Sequence, residues 1–320
     1  MRAVVLDLDS LNPKDLDLTP WHNCLPDWHY HNETRPEQVI ERIKNADIVI
    51  TNKVPLTRPH IQATPGLSLI CVAATGTNTI DLAAADEAGV IVSNARDYAT
   101  ASVAEHVFSL LLTLFRRLDT YRNRVQAGDW SRSPHFCLFD ETIEELSGRT
   151  IGIIGYGVLG KAVSQLAKAF SMRVQIGQRL YGPPLADRVA FDVLLETSDV
   201  ISLHCPLSQQ TRGLIGENQL RRMKDTAILI NTARGGIVDE QALVTAIREN
   251  WIAGAGIDVL SKEPPEPSNP LLQFSSPRLI VTPHVAWASR TARQKLVTEI
   301  ATNIHAFMRG TPRNTVGPSA

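Results

Sequence analysis

The sequence predicts an α/β protein of two doubly wound parallel-sheet domains, and three observations carry that prediction. At 320 residues the chain exceeds the usual size of a single core, so two domains are expected. Short β-branched runs alternate with segments of helical period along nearly the whole length, the order that builds a parallel sheet covered on both faces. One such run, Thr150-Ile-Gly-Ile-Ile-Gly-Tyr-Gly-Val-Leu-Gly160, passes through a glycine turn straight into a helical segment, Lys161 to Ala169.

The first alternating block begins with a short strand at Val4 to Leu6 and a second at Trp28 to Asn32. Thr34 to Asn45 has a cap, an early Pro36, and Val39, Ile40 and Ile43 at helical spacing. Strands follow at Ala46 to Thr51, at Ile70 to Thr77 with a small-residue end, and at Val90 to Asn94, separated by helical stretches from Ile61 and from Leu82. Ala101 to Ala127 carries Val103, Val107, Leu110, Leu111, Leu114, Phe115 and Leu118 as one apolar stripe, and predicts a single long helix between the blocks. After Gly160 the strands resume at Arg173–Gly177, Val200–His204, Ala227–Asn231, Ala253–Asp258 and Leu279–Thr282, with helices at Asn218 to Lys224 and Glu240 to Asn250. Counting the Ile151 run, six strands make a complete dinucleotide-binding fold. The last helix, Ser289 to Met308, falls beyond that block and is expected to pack back on the first one.

Charge and cysteine usage narrow the partners. With 32 Lys+Arg against 33 Asp+Glu the net charge is -1, so no basic footprint for nucleic acid or membrane is present and small molecules are expected. The chain reaches Asp7 before any apolar core of signal length forms, and no run is long enough to span a bilayer. Cys24, Cys71, Cys137 and Cys205 lack paired spacing, which fits free thiols in a reducing cytoplasm. His22, Cys24, His29 and His31 form the one cluster that invites a metal, but no carboxylate or second cysteine completes a ligand spacing, so no metal is expected.

The glycine turn has a chemical reading. Gly155 permits a sharp turn, Gly157 lets a pyrophosphate approach the backbone, and Gly160 lets helix pack closely on strand, while the helix N-terminus presents free amides to phosphate. Read as structure alone it is a tight turn, but both flanks have the strand and helix that nucleotide binding needs. Ligands of such sheets collect at the carboxyl ends of strands. Arg234, Glu263 and His284 each lie just past one. A guanidinium matches a carboxylate bidentately, an imidazole exchanges a proton near neutrality, and a carboxylate beside it fixes its tautomer. Singly each is an ordinary loop residue; after consecutive strands of one sheet they read as a catalytic set.

Gly155-x-Gly157-x-x-Gly160, His204-Cys-Pro-Leu207, Asn231-Thr-Ala-Arg-Gly-Gly236, Gly256-Ile-Asp-Val259 and Thr282-Pro-His284 together resemble the D-isomer-specific 2-hydroxyacid dehydrogenase family over nearly the whole chain. Asn52-Lys-Val-Pro55, Ala73-Ala-Thr-Gly-Thr77, Gly128-Asp-Trp130 and Phe136-Cys-Leu-Phe-Asp140 look most like its glycerate dehydrogenase (hydroxypyruvate reductase) branch. The resemblance implies a Rossmann coenzyme domain over 100–286 and a flavodoxin-like substrate domain, discontinuous in sequence, over 1–99 with a C-terminal helix in 287–320. It implies that the second domain closes on the first around a small 2-oxo acid, which is reduced by NAD(P)H. Arg234 would hold the substrate carboxylate and carbonyl, His284 would protonate the carbonyl oxygen, and Glu263 would hydrogen-bond His284. Asn52 and the loop Ala74, Thr75 and Gly76 would bind substrate. Tyr156, Val158 and Leu159 would join the three glycines at the pyrophosphate. His204, Pro206, Thr211, Thr232, Ala233 and Asp258 would complete the coenzyme site with His284, Asp258 at the nicotinamide amide. The family pattern also implies a homodimer through the coenzyme domain, with Trp130 and Phe136 near the neighbouring subunit.

One position departs from an NAD-specific pattern. The second strand commonly ends in Asp or Glu, which accepts from the ribose hydroxyls and repels a 2′-phosphate. Here Gln178-Arg179 follows instead, which favours NADPH over NADH; the bland reading is a solvated Arg179 beside a ribose-binding Gln178. The rival functions are a broader 2-oxoacid reductase and, from another class, a dinucleotide-sensing protein like the corepressors that share this fold.

Overall fold

The computed structural model describes residues 1–179 and 183–318. The chain divides into two compact units, Met1–Ala99 together with the chain from Ala288 onward, and Thr100–Trp287.

The first unit is built on a parallel sheet of β1 (Arg2–Val5), β2 (Asp27–Tyr30), β3 (Ile48–Thr51), β4 (Leu69–Val72) and β5 (Ile91–Asn94). Its order is β2-β1-β3-β4-β5, the flavodoxin-like arrangement, with the reversal between β1 and β3. Alternation sends Val4, Val49, Ile70 and Val92 to one face, where Val39, Ile43 and Ile61 cover them. Helix Arg290–Met308 packs against β4, burying Leu296, Val297, Ile300 and Ile304. Trp21 Nε1 donates to Val297 O (2.8 Å), and Val316 N–H donates to Val92 O (2.9 Å), so the chain's end is bound into the unit that its beginning forms. Arg293 is nearly buried there and fully engaged. Its guanidinium pairs bidentately with Asp15 (2.7 and 2.8 Å) and also donates to Leu11 O, Asn12 O and Ala288 O.

The second unit holds β6 (Thr150–Ile154), β7 (Arg173–Ile176), β8 (Val200–Leu203), β9 (Ile228–Asn231), β10 (Gly254–Ile257) and β11 (Leu279–Val281), all parallel, in the order β11-β10-β9-β8-β6-β7. The order reverses at β6, so the glycine turn opens at the switch point. Ile151, Ile153, Ile228 and Ile230 face helices Thr100–Arg116 and Val158–Ala169; Ile154, Leu203 and Leu229 face the other way, onto Leu194, Leu220, Leu243 and Ile247. Beyond β7, the third strand of the first half shrinks to a single parallel bridge, Gly177 to Val189. Pro183 and Pro184 precede it, and neither can donate to a ladder.

The single long helix expected over 101–127 is two. Thr100–Arg116 ends where Arg117 turns left-handed (φ 54°), and Leu118–Gln126 follows. Val103, Val107, Leu110, Leu111, Leu114 and Phe115 are buried, whereas Leu118 is exposed and the second helix buries no residue, so the apolar stripe stops at the break.

Replacing Arg293 by Met strips Asp15 of its partner and leaves three carbonyls without a donor. A loss of roughly 3 kcal/mol is expected, the scale of hydrogen bonds to a charged group, read as a lower urea midpoint for unfolding of the first unit.

Candidate active site

The carboxyl edge of the second sheet collects the expected residues. The glycine turn behaves as its spacing predicts. Gly155 adopts φ 93°, and a Cβ there would lie 2.5 Å from Cys205 N and from His204 C. At Gly160 a Cβ would fall 2.2 Å from Gly155 O, so only hydrogen allows helix and turn to meet. Gly157 is different: nothing lies within 4 Å of its Cβ position, so the space over the turn is open. Gly157 is also the N-cap residue of helix Val158–Ala169, whose opening amides have no acceptor one turn back. That cradle fits a pyrophosphate.

Three adjacent strand ends bring the catalytic candidates into line. Asn231, Ile257 and Val281 are in register across β9, β10 and β11. Arg234 and His284 each lie three residues beyond their strand, and Glu263 lies on the loop between. Asn231 shapes the first loop: its side chain accepts from Ala233 N–H and donates to Arg234 O, both at 3.0 Å. Gly235 then passes so near the second loop that a Cβ would stand 1.8 Å from Leu260 O. Glu263 accepts from Leu260 N–H (2.9 Å) through Oε1, and its Oε2 lies 2.6 Å from His284 Nδ1. With Nδ1 committed to the carboxylate, Nε2 is the nitrogen left to meet a substrate. Arg234 is part-buried and donates through Nη1 to Ala233 O (2.7 Å).

His284 sits at φ 54°, a left-handed conformation rare outside glycine. Asp258 holds it there. The backbone carbonyl of Asp258 accepts from His284 N–H (2.8 Å), and its buried carboxylate accepts from Val285 N–H (2.9 Å), Ala286 N–H (2.9 Å) and the Thr282 hydroxyl (2.6 Å). His106 Nε2 meets the same Thr282 hydroxyl at 3.0 Å. The sequence marked Asp258 as a coenzyme contact; its work on the His284 turn, and the part of His106, were not legible, because backbone acceptors depend on a turn geometry that spacing does not encode.

The remaining coenzyme candidates cluster at the same edge. His204 Nε2 lies 2.8 Å from Ser202 Oγ, while its Nδ1 is shut from solvent without a partner among the described residues. Thr232 Oγ1 is likewise buried and unpartnered. Orphaned polar atoms at the ends of β8 and β9 fit a polar ligand that completes them. Thr211 is buried, donating its hydroxyl to Pro206 O (2.7 Å) and accepting from Ser208 N–H (2.7 Å), so both residues shape one turn. Gln178 exchanges hydrogen bonds with the Leu185 backbone, Nε2 to O at 2.9 Å and N–H to Oε1 at 3.0 Å, and Arg179 is exposed.

In the first unit, Asn52 is buried at the end of β3. The Asp7 carboxylate accepts from Asn52 N–H (3.0 Å) and Lys53 N–H (2.6 Å), and burial pushes that carboxyl above its usual range. Asn52 Nδ2 donates to Ser10 Oγ. The Ala74 to Gly76 loop is pinned to the end of β5: Ala95 N–H donates to Ala74 O, Asn94 Nδ2 to Thr75 O, and Thr75 Oγ1 to Ala95 O. His29 pairs with Asp27, and His22 lies edge-on to Tyr30.

Comparison with known proteins agrees with this arrangement. Residues 108–286 match the family described as D-isomer specific 2-hydroxyacid dehydrogenase, NAD binding domain. The chain is 44% identical to a glycerate dehydrogenase of Methylorubrum extorquens over 315 residues, covering 98% of each. It is 38% identical to a hydroxypyruvate reductase of Blautia hydrogenotrophica over 323 residues, 99% of each. A solved acyclic imino acid reductase, in complex with NADPH and D-Arg, superposes with a TM-score of 0.84 at 30% identity, covering 99% of this chain and 100% of that one. The fold and its open glycine turn are those of an NAD-binding oxidoreductase. The chain belongs to the D-isomer-specific 2-hydroxyacid dehydrogenase family, and it is a D-2-hydroxyacid dehydrogenase.

Burial holds the His204 imidazole down to about 4, against 6.5 for the free side chain. The unfolded chain therefore takes up a proton that the folded one refuses, so this stability is present above pH 6.5 and is lost as pH falls toward 4. The residue is only partly buried, which limits the contribution to at most about 3 kcal/mol. His204→Asn is expected to flatten that portion of the stability profile, measured as the wild-type-minus-variant difference in urea unfolding at pH 7 and pH 4.5.

Proposed function

We propose that this enzyme reduces hydroxypyruvate to D-glycerate, and glyoxylate to glycolate, with NADPH preferred over NADH. The observation that carries this reading is the 2.6 Å contact between His284 Nδ1 and Glu263 Oε2, at the edge that holds the open glycine turn. A nicotinamide bound here would supply the hydride for the keto carbon. His284 delivers the proton from Nε2 to the carbonyl oxygen, and Glu263 fixes the tautomer and orientation that put that nitrogen forward. Arg234 holds the carboxylate and the carbonyl through its planar fork. Val158, Leu159 and Gly160 offer their amides to the pyrophosphate, with Gly155, Tyr156 and Gly157 forming the turn beneath it. His204, Pro206, Thr211, Thr232, Ala233 and Asp258 complete the coenzyme site. Asn52, Ala74, Thr75 and Gly76 are the substrate-binding residues of the first unit. The 44% and 38% identity to relatives named glycerate dehydrogenase and hydroxypyruvate reductase supports the choice of substrate.

The working form is a homodimer in the cytoplasm. Among the described residues no helix is long and apolar enough to cross a membrane. Phe136 and Phe139 are 89% and 84% exposed beside Trp130, whose Nε1 donates to Phe136 O (2.9 Å), and apolar surface of this kind supports a protein partner.

His284→Ala is expected to lower kcat by about 10²- to 10⁴-fold, the worth of a placed general acid, while coenzyme binding stays intact. Arg234→Lys keeps the charge and loses the fork, and is expected to raise KM for hydroxypyruvate by roughly 10- to 100-fold. Steady-state rates with a coenzyme titration check both. Full activity in His284→Ala would remove the mechanism, and a wild-type protein that binds coenzyme without reducing any 2-oxo acid would be a sensor. Phe136→Ser with Phe139→Ser is expected to shift the dimer toward monomer in light scattering after gel filtration; an unchanged mass would place the dimer elsewhere.

A further inference from the structure

The end of β7, where an NAD-specific sheet carries an acid, is organised by a residue outside the Gln178-Arg179 pair. Gln178 has no side-chain atom to spare. Its amide both donates to and accepts from the Leu185 backbone, and its Nε2 also lies 3.5 Å from Arg188 O. Val189 N–H donates to Ile176 O, and Gln178 N–H to Val189 O, both at 2.8 Å. The segment 185–189 is thus fastened to the end of β7 from both its backbone and its neighbour's side chain.

That fastening sets Arg188 in place. Its guanidinium carbon lies 4.8 Å from the ring centroid of Tyr156, the middle residue of Gly155-Tyr156-Gly157. Its side chain is only 14% exposed, and its Nε is buried with no hydrogen-bond partner among the described residues. Its Nε lies 3.5 Å from Oδ1 of Asp187, which is 75% exposed, so that ion pair is weak and screened. Tyr156 is itself steadied by Ser164, with the two oxygens 3.3 Å apart. A cation stacked on an aromatic ring, with one donor unsatisfied, stands between the glycine turn and the end of β7. In this fold that is where the ribose of the adenosine half is read. A guanidinium there matches a phosphate and has nothing to offer an unmodified ribose that a neutral group would not offer equally.

We propose that Arg188 is the residue that recognises the ribose 2′-phosphate of NADPH, and that Gln178 is a positioning residue that holds Arg188 in reach. The proposal rests on the reading that the glycine turn binds a dinucleotide, and it replaces Arg179, which is exposed, as the principal phosphate contact.

The test is equilibrium binding of adenosine 2′,5′-bisphosphate and adenosine 5′-monophosphate to the full chain, by calorimetry, in wild type, Arg188→Gln, Arg179→Gln and Gln178→Ala. Wild type is expected to bind the bisphosphate more tightly, and Arg188→Gln to cut that preference by roughly 10- to 100-fold, the worth of charge-assisted hydrogen bonds to phosphate. Arg188→Lys is expected to restore part of it, and Gln178→Ala to erode it less than Arg188→Gln does. The ratio of kcat/KM for NADPH to that for NADH should move in parallel. A preference that survives Arg188→Gln but falls in Arg179→Gln overturns the proposal, as does an equal loss for both nucleotides, which would make Arg188 an adenine platform. Binding preference without reduction of hydroxypyruvate would sink the reductase reading and leave this one standing; failure of wild type to bind either nucleotide would sink both.

Discussion

The turn that carries His284 in the second unit depends on one buried carboxylate. Asp258 takes the amides of Val285 and Ala286 and the hydroxyl of Thr282, and its carbonyl takes the amide of His284. Those bonds hold a non-glycine residue at positive φ, and that conformation turns the imidazole toward Glu263. A carboxylate that accepts several N–H and O–H donors is stiff, and stiffness is what general acid catalysis asks of its scaffold. His284 and Glu263 thus come from different loops, joined through a third residue.

The device recurs. Asp7 ties the β3 loop to the end of β1 through the amides of Asn52 and Lys53. Asp199, before β8, accepts from Thr150 N–H at the start of β6 and from Lys224 Nζ; burial alone would raise it, yet these partners keep its carboxyl below the ordinary range. Parallel sheets leave loop amides at strand ends without ladder partners, and a buried acid is a compact way to satisfy two or three of them at once. Glycine does the complementary steric work. Gly155 admits the His204 backbone and Gly235 admits Leu260, so the loops close to distances no side chain would permit.

The strands, the glycine turn and the placement of Arg234, Glu263 and His284 just past strand ends were legible because each rests on a local signal: β-branched runs, fixed glycine spacing, and polar residues just past apolar ones. Where the sequence misled, the deciding contact was nonlocal. Nothing near Arg117 announces a left-handed break, since neither glycine nor proline marks it. Nor does spacing show that the Gln178 amide bonds to Leu185, seven residues on. Arg188 lies too far along the chain to be grouped with the glycine turn, and only the fold sets it over Tyr156.

The single bridge between Gly177 and Val189 stands where a full third strand would otherwise run. One bridge fixes where the chain returns, and Leu185 to Arg188 lie outside the ladder. Mutations in those residues can therefore alter size or charge there without unpicking a strand. Those residues can vary at little risk to folding, while the His284 loop, buttressed by the buried Asp258, cannot drift in the same way. The second unit keeps this variable segment and the His284 loop at opposite edges of one sheet.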